Sequence, residues 1–361
     1  MRRLILATIV CLAACLTLAC ARPEQTVARA WLVMGTTARA TVIDADEAAA
    51  EEAVLRVRRV FDRVDATMSN WSADSELSRL NRAAASAYRI EDEDLAACIE
   101  AALDAAPRTG GSFDPTVGPL VTLWGFRPKA PRVPDAGAIA EALSRVGADA
   151  VRYDRTSRTV RFDRPGMEID LGGIAKGYAL DVARKQVAGA GRFGLLDLGG
   201  NLAWFGAPPG GSVVLSISDP WRPDLPCAEA RLPAGYAAAT SSDVENHFVV
   251  DGVSYGHIMD PRAGRPAVTD VIQATAVHPS ATVTDVLSTA LFVGGASRAA
   301  SILAAYPGSE AVLIVRDGPR LALLASRSLE GRLRLVPGAG FTADSPRFTL
   351  PAATMAPSKT R

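Results

Sequence analysis

Lysine is nearly missing from this chain. Only four of its 39 basic residues are lysine, and the formal net charge is zero with a pI near 6.8. A chain without net charge lacks the electrostatic footprint of a nucleic-acid or anionic-membrane binder, so no nucleic-acid partner is expected. Histidine is as scarce, with three residues, and cysteine amounts to five, three of them (Cys11, Cys15 and Cys20) within the first twenty positions. Cys98 and Cys227 have neither close spacing nor a partner histidine, which excludes a zinc-type centre. In an exported protein they could form one disulfide, although the apolar helical run around Cys98 suits a buried, inert thiol. No internal repeat and no long low-complexity linker interrupts the chain. Its 361 residues suit one large domain or two small ones.

The first long apolar run lies at the start. Arg2 and Arg3 precede Leu4–Ala19, which is short for a membrane span and has the form of a signal peptide. Leu12-Ala13-Ala14-Cys15 and Thr17-Leu18-Ala19-Cys20 both resemble a bacterial lipobox, in which the cysteine is lipidated. Cys20 leaves the more usual signal length and Cys15 is the alternative. Residues 1–20 are thus read as a lipoprotein signal and 21–29 as a tether. A single domain is placed at 30–345 and a C-terminal tail at 346–361.

Ala30–Ile43 reads as a strand interrupted at Met34-Gly35-Thr36. Ala48–Thr67 has helical spacing, with Val54, Val57, Val60, Phe61 and Val64 on one stripe. Further helices are expected over Ser72–Asn81, with Asp74 as its cap, and over Asp92–Thr109, closed by Gly110-Gly111. Leu120–Arg132 looks irregular and Asp135–Val146 helical. From Ala150 onward, short strands dominate, with helices after Gly173, Thr284 and Ala296. Hairpin-like strands mixed with a few long helices argue for an α+β fold with mixed sheets and flanking helices.

Asp170-Leu171-Gly172-Gly173-Ile174-Ala175-Lys176-Gly177-Tyr178 carries the most chemistry. An apolar run ending in Asp170 reads as a strand, two glycines turn the chain, and a helix follows. A helix start exposes backbone N–H groups and the positive end of its dipole, which suits a phosphate, and Lys176 adds charge in the first turn. The stretch matches neither the P-loop nor the dinucleotide-binding glycine pattern. A plain turn with a surface lysine is the alternative. Asp285 and Thr289 stand four apart on one helix face and offer hard oxygen ligands of the kind Mg²⁺ takes beside substrate phosphates; a dipole-stabilised acid is the alternative. Ser112-Phe113-Asp114-Pro115-Thr116-Val117-Gly118-Pro119-Leu120 reads as a stiff loop able to wall a pocket. His257, near Asp260 and Arg262, is a candidate base or a structural histidine.

In order along the chain, Met34-Gly35-Thr36, Met68-Ser69 with Ser75–Asn81, Phe113–Leu120 with Leu123-Trp124-Gly125-Phe126, Asp170–Tyr178, Gly199-Gly200-Asn201, Thr240-Ser241, His257-Ile258 with Asp260-Pro261-Arg262, and Asp285 with Ser288-Thr289-Ala290 resemble the ApbE family of FAD:protein FMN transferases. The resemblance runs from about Trp31 to Tyr306 and implies an ApbE-like, T-fold-like architecture. It implies Mg²⁺-dependent transfer of FMN from FAD to a Thr or Ser hydroxyl of an exported flavoprotein acceptor, with release of AMP and with Mn²⁺ as an alternative metal. It further implies a lipid-anchored enzyme of the bacterial cell envelope, facing the periplasm or the outside.

On the family's positions, Met34, Trp71, Ser112, Phe113, Asp114, Asp170, Lys176 and Ile258 fall at FAD contacts. The Gly173 carbonyl, Asp285 and Thr289 fall at metal positions with Ser288 adjacent, and His257 falls where a base for the acceptor hydroxyl would stand. The chain departs from the family pattern at Trp71, usually Tyr, and at Ser242-Asp243-Val244, Gly256 and Ala263, which puts acceptor detail in question more than FAD binding. Two other functions fit the same residues: a Mg²⁺-dependent FAD pyrophosphatase, with water in place of the hydroxyl, and a flavin-binding lipoprotein without turnover.

Overall fold

The computed structural model describes residues 24–353 apart from Ala45, Pro128, Glu245, Ala339 and 342–344. The signal segment and both lipobox cysteines, Cys15 and Cys20, lie outside the described residues. A nine-stranded sheet forms the centre. Its spatial order is Gln25–Val33, Thr36–Asp44, Phe193–Leu198, Asn201–Gly206, Ala237–Ser242, Val271–His278, Glu310–Asp317, Arg320–Ser326 and Arg347–Leu350. Neighbours are antiparallel except the last pair. The sheet extends into both flanking stretches, since its first strand starts within 21–29 and its last lies within 346–361.

Helices Glu47–Met68, Ala175–Gln186 and Ala281–Ala304 pack on one face of the sheet. The strands Val213–Asp219, Arg222–Leu232 and Leu333–Leu335 form a second sheet, which shares a hydrophobic cluster with the other face. The alternation of side chains along a strand sorts them between these two cores. Ala276 and Leu313 face the helices while Val277, Val312 and Ile314 face the small sheet. Lying between the two cores, Val271–His278 is buried without a break from Val271 to Val277, its polar Gln273 and Thr275 included. The long insertion between the second and third strands carries the remaining helices and the three-stranded sheet of Tyr88–Arg89, Val151–Asp154 and Thr159–Phe162. The α+β expectation holds.

The valine stripe of Glu47–Met68 is buried as its spacing requires. The next helix is shorter than expected, Glu76–Ala83, and its cap is Ser75, whose hydroxyl accepts from the Ser78 N–H at 3.0 Å, not Asp74. Gly118–Leu123, which runs into the stretch expected to be irregular (Leu120–Arg132), is helical, with Pro119 in its first turn, where a missing N–H costs nothing. Met167–Leu171 is not a strand. Met167, Ile169 and Leu171 alternate and are buried, which imitates strand periodicity, but the backbone of Ile169 is paired by a side chain. Its N–H donates to Asn81 Oδ1 at 2.8 Å and its carbonyl accepts from Asn81 Nδ2 at 2.9 Å. Cys98 and Cys227 are unpaired thiols buried in different clusters, and burial pushes the Cys227 thiol up to about 12.

The helix reading after Thr284 also shifts. It begins at Ala281 behind the cap Ser280 and runs to Ala304, broken only at Gly295 (φ 71°). It is long and apolar enough to span a membrane, yet most of its apolar length is buried in this fold. It meets the Ala175–Gln186 helix at Gly177, where a Cβ would stand 2.2 Å from the Ala281 carbonyl oxygen and 2.7 Å from Asp285 Cβ. Gly177→Ala should therefore force the two helices apart and cost about 1–3 kcal/mol. A lowered urea midpoint with an unchanged m-value checks this.

Candidate active site

The two helix starts are capped reciprocally. Helix Ala175–Gln186 has no capping side chain of its own. Asp285 supplies one from across the interface, its Oδ2 accepting from the Gly177 N–H at 2.9 Å. In return, Asp181 accepts from the N–H groups of Ala281 and Thr282, each at 2.9 Å. First-turn N–H groups have no partner within their helix, so each carboxylate fills a vacancy in the other element. Asp285 is 3% exposed. Its other oxygen, Oδ1, lies 3.9 Å from Lys176 Nζ, and Lys176 also donates to the Gly172 carbonyl at 3.3 Å.

Gly172, Lys176 and Asp285 line a cavity of about 830 Å³ that adjoins a second of about 800 Å³, with Met34, Trp71, Phe126, Asp170 and Lys176 shared by both walls. Every site residue expected from sequence lines the larger cavity except Ser288. Ser288 instead donates to the Asp285 carbonyl at 3.0 Å and shares a hydrogen bond of 2.9 Å with Ser241. Ser241 does line the cavity, and its Oγ is 3.5 Å from Thr289 Oγ1. Gly173 stands opposite, where a Cβ would approach Thr289 Oγ1 and the Phe113 ring to 3.2 Å. Asp285, Thr289, Ser241 and the Gly173 backbone thus face one space with oxygen donors.

The turn before the lysine is held rigid. Asp170 accepts from the Gly172 N–H at 2.8 Å and from Arg127 at 3.0 Å, and Arg127 also binds Glu168 at 2.6 Å. Asp114 is committed likewise, accepting from the N–H groups of Thr116 at 2.8 Å and Ala148 at 3.0 Å. Ser112 is different: its hydroxyl is buried and has no hydrogen-bond partner. Met34 sits at φ 51° in the turn between the first two strands, its N–H on Asp65 at 3.0 Å. Trp71 is 62% exposed at the mouth, with the Lys129 ammonium 5.5 Å from its ring centre.

His257 contributes a poised imidazole. Its Nδ1 is 3.2 Å from the Asn246 carbonyl oxygen, and its backbone N–H binds the same oxygen at 3.0 Å. A carbonyl only accepts, so Nδ1 carries the proton and Nε2 keeps the lone pair. Burial lowers the imidazole pKa below its ordinary value, and the Lys176 charge acts in the same direction. The ring is therefore neutral at pH 7. Asp260 forms an ion pair with Arg262 at 2.9 Å and does not line the cavity.

Residues 34–313 match the ApbE family model. The chain belongs to the ApbE family. It is 34% identical over 324 residues to the FAD:protein FMN transferase of Treponema pallidum, covering 85% of this chain and 89% of the relative. It is 32% identical over 299 residues to that of Klebsiella pneumoniae, covering 79% and 83%. The crystal structure of the ApbE protein of Thermotoga maritima superposes with a TM-score of 0.76 at 32% identity, covering 86% of this chain and all of that one. The apo form of the Pseudomonas stutzeri flavinyl transferase ApbE gives 0.75 at 26%, covering 86% and 97%.

Sequence reasoning on this family member missed three supports: Asn81, Arg127 and Ser241. Asn81 and Ser241 stood inside quoted motifs with no role given. Arg127 is one arginine among many, and only its position between Glu168 and Asp170 marks it. Asn81→Ala should leave the N–H of Ile169 without its partner and cost about 1–3 kcal/mol. It should also weaken FAD binding by loosening the Asp170 turn. Denaturation and FAD titration of the same variant check both effects.

Proposed function

We infer that this protein moves the FMN half of FAD onto a hydroxyl of an acceptor protein and releases AMP. The observation that carries this reading is the single cavity in which a lysine-bearing helix start, a set of oxygen donors and a neutral imidazole converge. The Gly172–Lys176 turn offers a helix dipole end and the Lys176 ammonium to the diphosphate of FAD. Trp71 and Phe113 offer aromatic faces to its two ring systems, and Met34 and Ile258 offer apolar contact.

The donors Asp285, Thr289, Ser241 and the Gly173 carbonyl are all oxygen. With neither sulfur nor imidazole among them, this set suits a hard cation and not a soft metal. Asp285 and Thr289 would hold Mg²⁺, or Mn²⁺ in its place, with Ser241 and the Gly173 carbonyl alongside. The ion supplies neutralisation of phosphate charge. The acceptor is taken as a Ser or Thr hydroxyl. It donates its proton to His257 Nε2 as its oxygen bonds to the FMN phosphorus. The bond from that phosphorus to the bridging oxygen breaks, and the electron pair leaves on AMP. Positioning and charge compensation dominate such a transfer. The lipobox cysteines support export and anchoring, with Cys20 or Cys15 lipidated, the domain outside the cytoplasmic membrane and its acceptors exported flavoproteins.

Incubation of the soluble part with FAD, Mg²⁺ and a candidate acceptor should yield AMP and covalently bound flavin in equal amounts. AMP without covalent flavin would instead mark a pyrophosphatase. Asp285→Ala should abolish transfer, since it removes the charged ligand and the cap on Gly177 together. Thr289→Val should raise the Mg²⁺ concentration needed while sparing the fold. Unaltered turnover of Asp285→Ala in EDTA would refute the metal assignment.

His257→Ala should slow single-turnover transfer on the order of 10²–10⁴-fold at saturating FAD. Because the imidazole pKa is lowered in the fold, the wild-type rate should hold through the ordinary histidine range. It should fall only at lower pH, as protonation removes the Nε2 lone pair. A rate loss centred at or above the ordinary imidazole value would contradict this assignment.

A further inference from the structure

The hairpin His247–Val250/Val253–Gly256 stands apart from every other sheet. Two strands alone are marginal in water, and this pair is held at its root by aromatic contact. Phe248 and Tyr255 stack on each other with ring centres 5.3 Å apart, and reach Phe126 and Trp124 at 5.4 Å each. Beyond that root the hairpin is exposed and apolar, with Val249 at 59%, Val250 at 37% and Val253 at 51%. Each strand pairs only with the other among the described residues, so both outer edges present unpaired backbone.

Natural proteins guard such edges with charge, proline or a covering element. This chain has 39 Lys and Arg residues and 23 prolines, yet residues 246–257 contain no lysine, arginine or proline, and their one acid, Asp251, sits in the turn between the strands and not along either edge. The edge is left open where it meets the reacting groups. Asn246 precedes the first strand and His257 follows the second, and the two are joined through the Asn246 carbonyl. His247 and Phe248 line one of the adjoining cavities.

We propose that this hairpin is the docking edge for the acceptor protein, and that an extended acceptor segment adds to it as a further strand. The proposal rests on the transferase reading, because a macromolecular acceptor has to bring its hydroxyl to His257. A segment running along the Val253–Gly256 edge arrives at His257 by continuity of the chain. Backbone hydrogen bonds supply affinity, and the exposed valines supply apolar contact, as in other cases of strand addition. The bound partner is therefore a flexible or terminal segment of the acceptor rather than a folded face.

The test places the missing guard on the edge. Val249→Lys/Val253→Lys changes neither a cavity-lining residue nor a buried one. The probe is a soluble carrier protein ending in Asp-Gly-Ala-Ser-Gly-Ala-Thr, a segment of the Asp-Gly…Ser/Thr-Gly-Ala-Thr type that the family resemblance implies for acceptors, with flavin transfer read by in-gel fluorescence. The double variant should raise KM for the carrier about tenfold or more, as loss of interface anchors does, while kcat at saturating carrier and FAD affinity stay within about twofold of wild type. An unchanged KM overturns the docking proposal while leaving the transferase reading intact. A wild-type dimer that the variant dissociates, seen by sedimentation, also overturns it, because the edge then belongs to a second copy. Absence of transfer by wild type to this carrier, with AMP still released from FAD, overturns the transferase reading and the docking proposal with it.

Discussion

The site depends on two helices that cap one another. Asp285 closes the start of Ala175–Gln186 and Asp181 closes the start of Ala281–Ala304, so neither helix can shift without exposing an N–H of the other. Burying the Asp285 carboxylate would be unfavourable alone. The Gly177 N–H and the Lys176 ammonium on opposite sides compensate it. The same arrangement brings Lys176, proposed to face the FAD diphosphate, within ion-pair distance of the acid proposed as metal ligand. Glycine at position 177 is the geometric condition, since the helices approach closer there than any side chain permits.

The remaining parts of the cavity are fixed to that pair from several directions. Arg127 and Asn81 shape the Asp170 turn from the insertion, Ser241 reaches in from the central sheet, and the Asn246 carbonyl orients His257. Most polar atoms here already hold partners inside the protein. Asp170 and Asp114 are better described as shaping the walls with their carboxylates than as side chains waiting for a ligand. The buried, unpartnered Ser112 hydroxyl and Asn201 Nδ2 are exceptions along this cavity.

Much of this was legible in the sequence because local patterns carry it. The valine stripe, the glycine turn before Lys176 and the four-residue spacing of Asp285 and Thr289 are short-range signals that survive folding unchanged. Family order then joined the motifs into one site. What was hidden is long-range. Met167–Leu171 imitates a strand because its alternate residues are buried, while its hydrogen bonds come from Asn81, 88 positions away. Asn201–Gly206 lies behind Gly199-Gly200, which form a two-residue hairpin turn at positive φ and leave little local signal for the strand. Arg222–Leu232 was obscured by Pro223 and Pro226, tolerated in a strand whose pairing is irregular at that end. The exchange of caps between Asp181 and Asp285 has no local signature.

Anomalous scattering from a crystal grown with FAD and Mn²⁺ tests the central claim most directly. The account predicts a single strong manganese peak within about 2.5 Å of Asp285 and Thr289 oxygens, in contact with the FAD diphosphate lying on the Gly172–Lys176 turn. A diphosphate bound elsewhere in the cavity, or manganese away from Asp285 at full FAD occupancy, would contradict it.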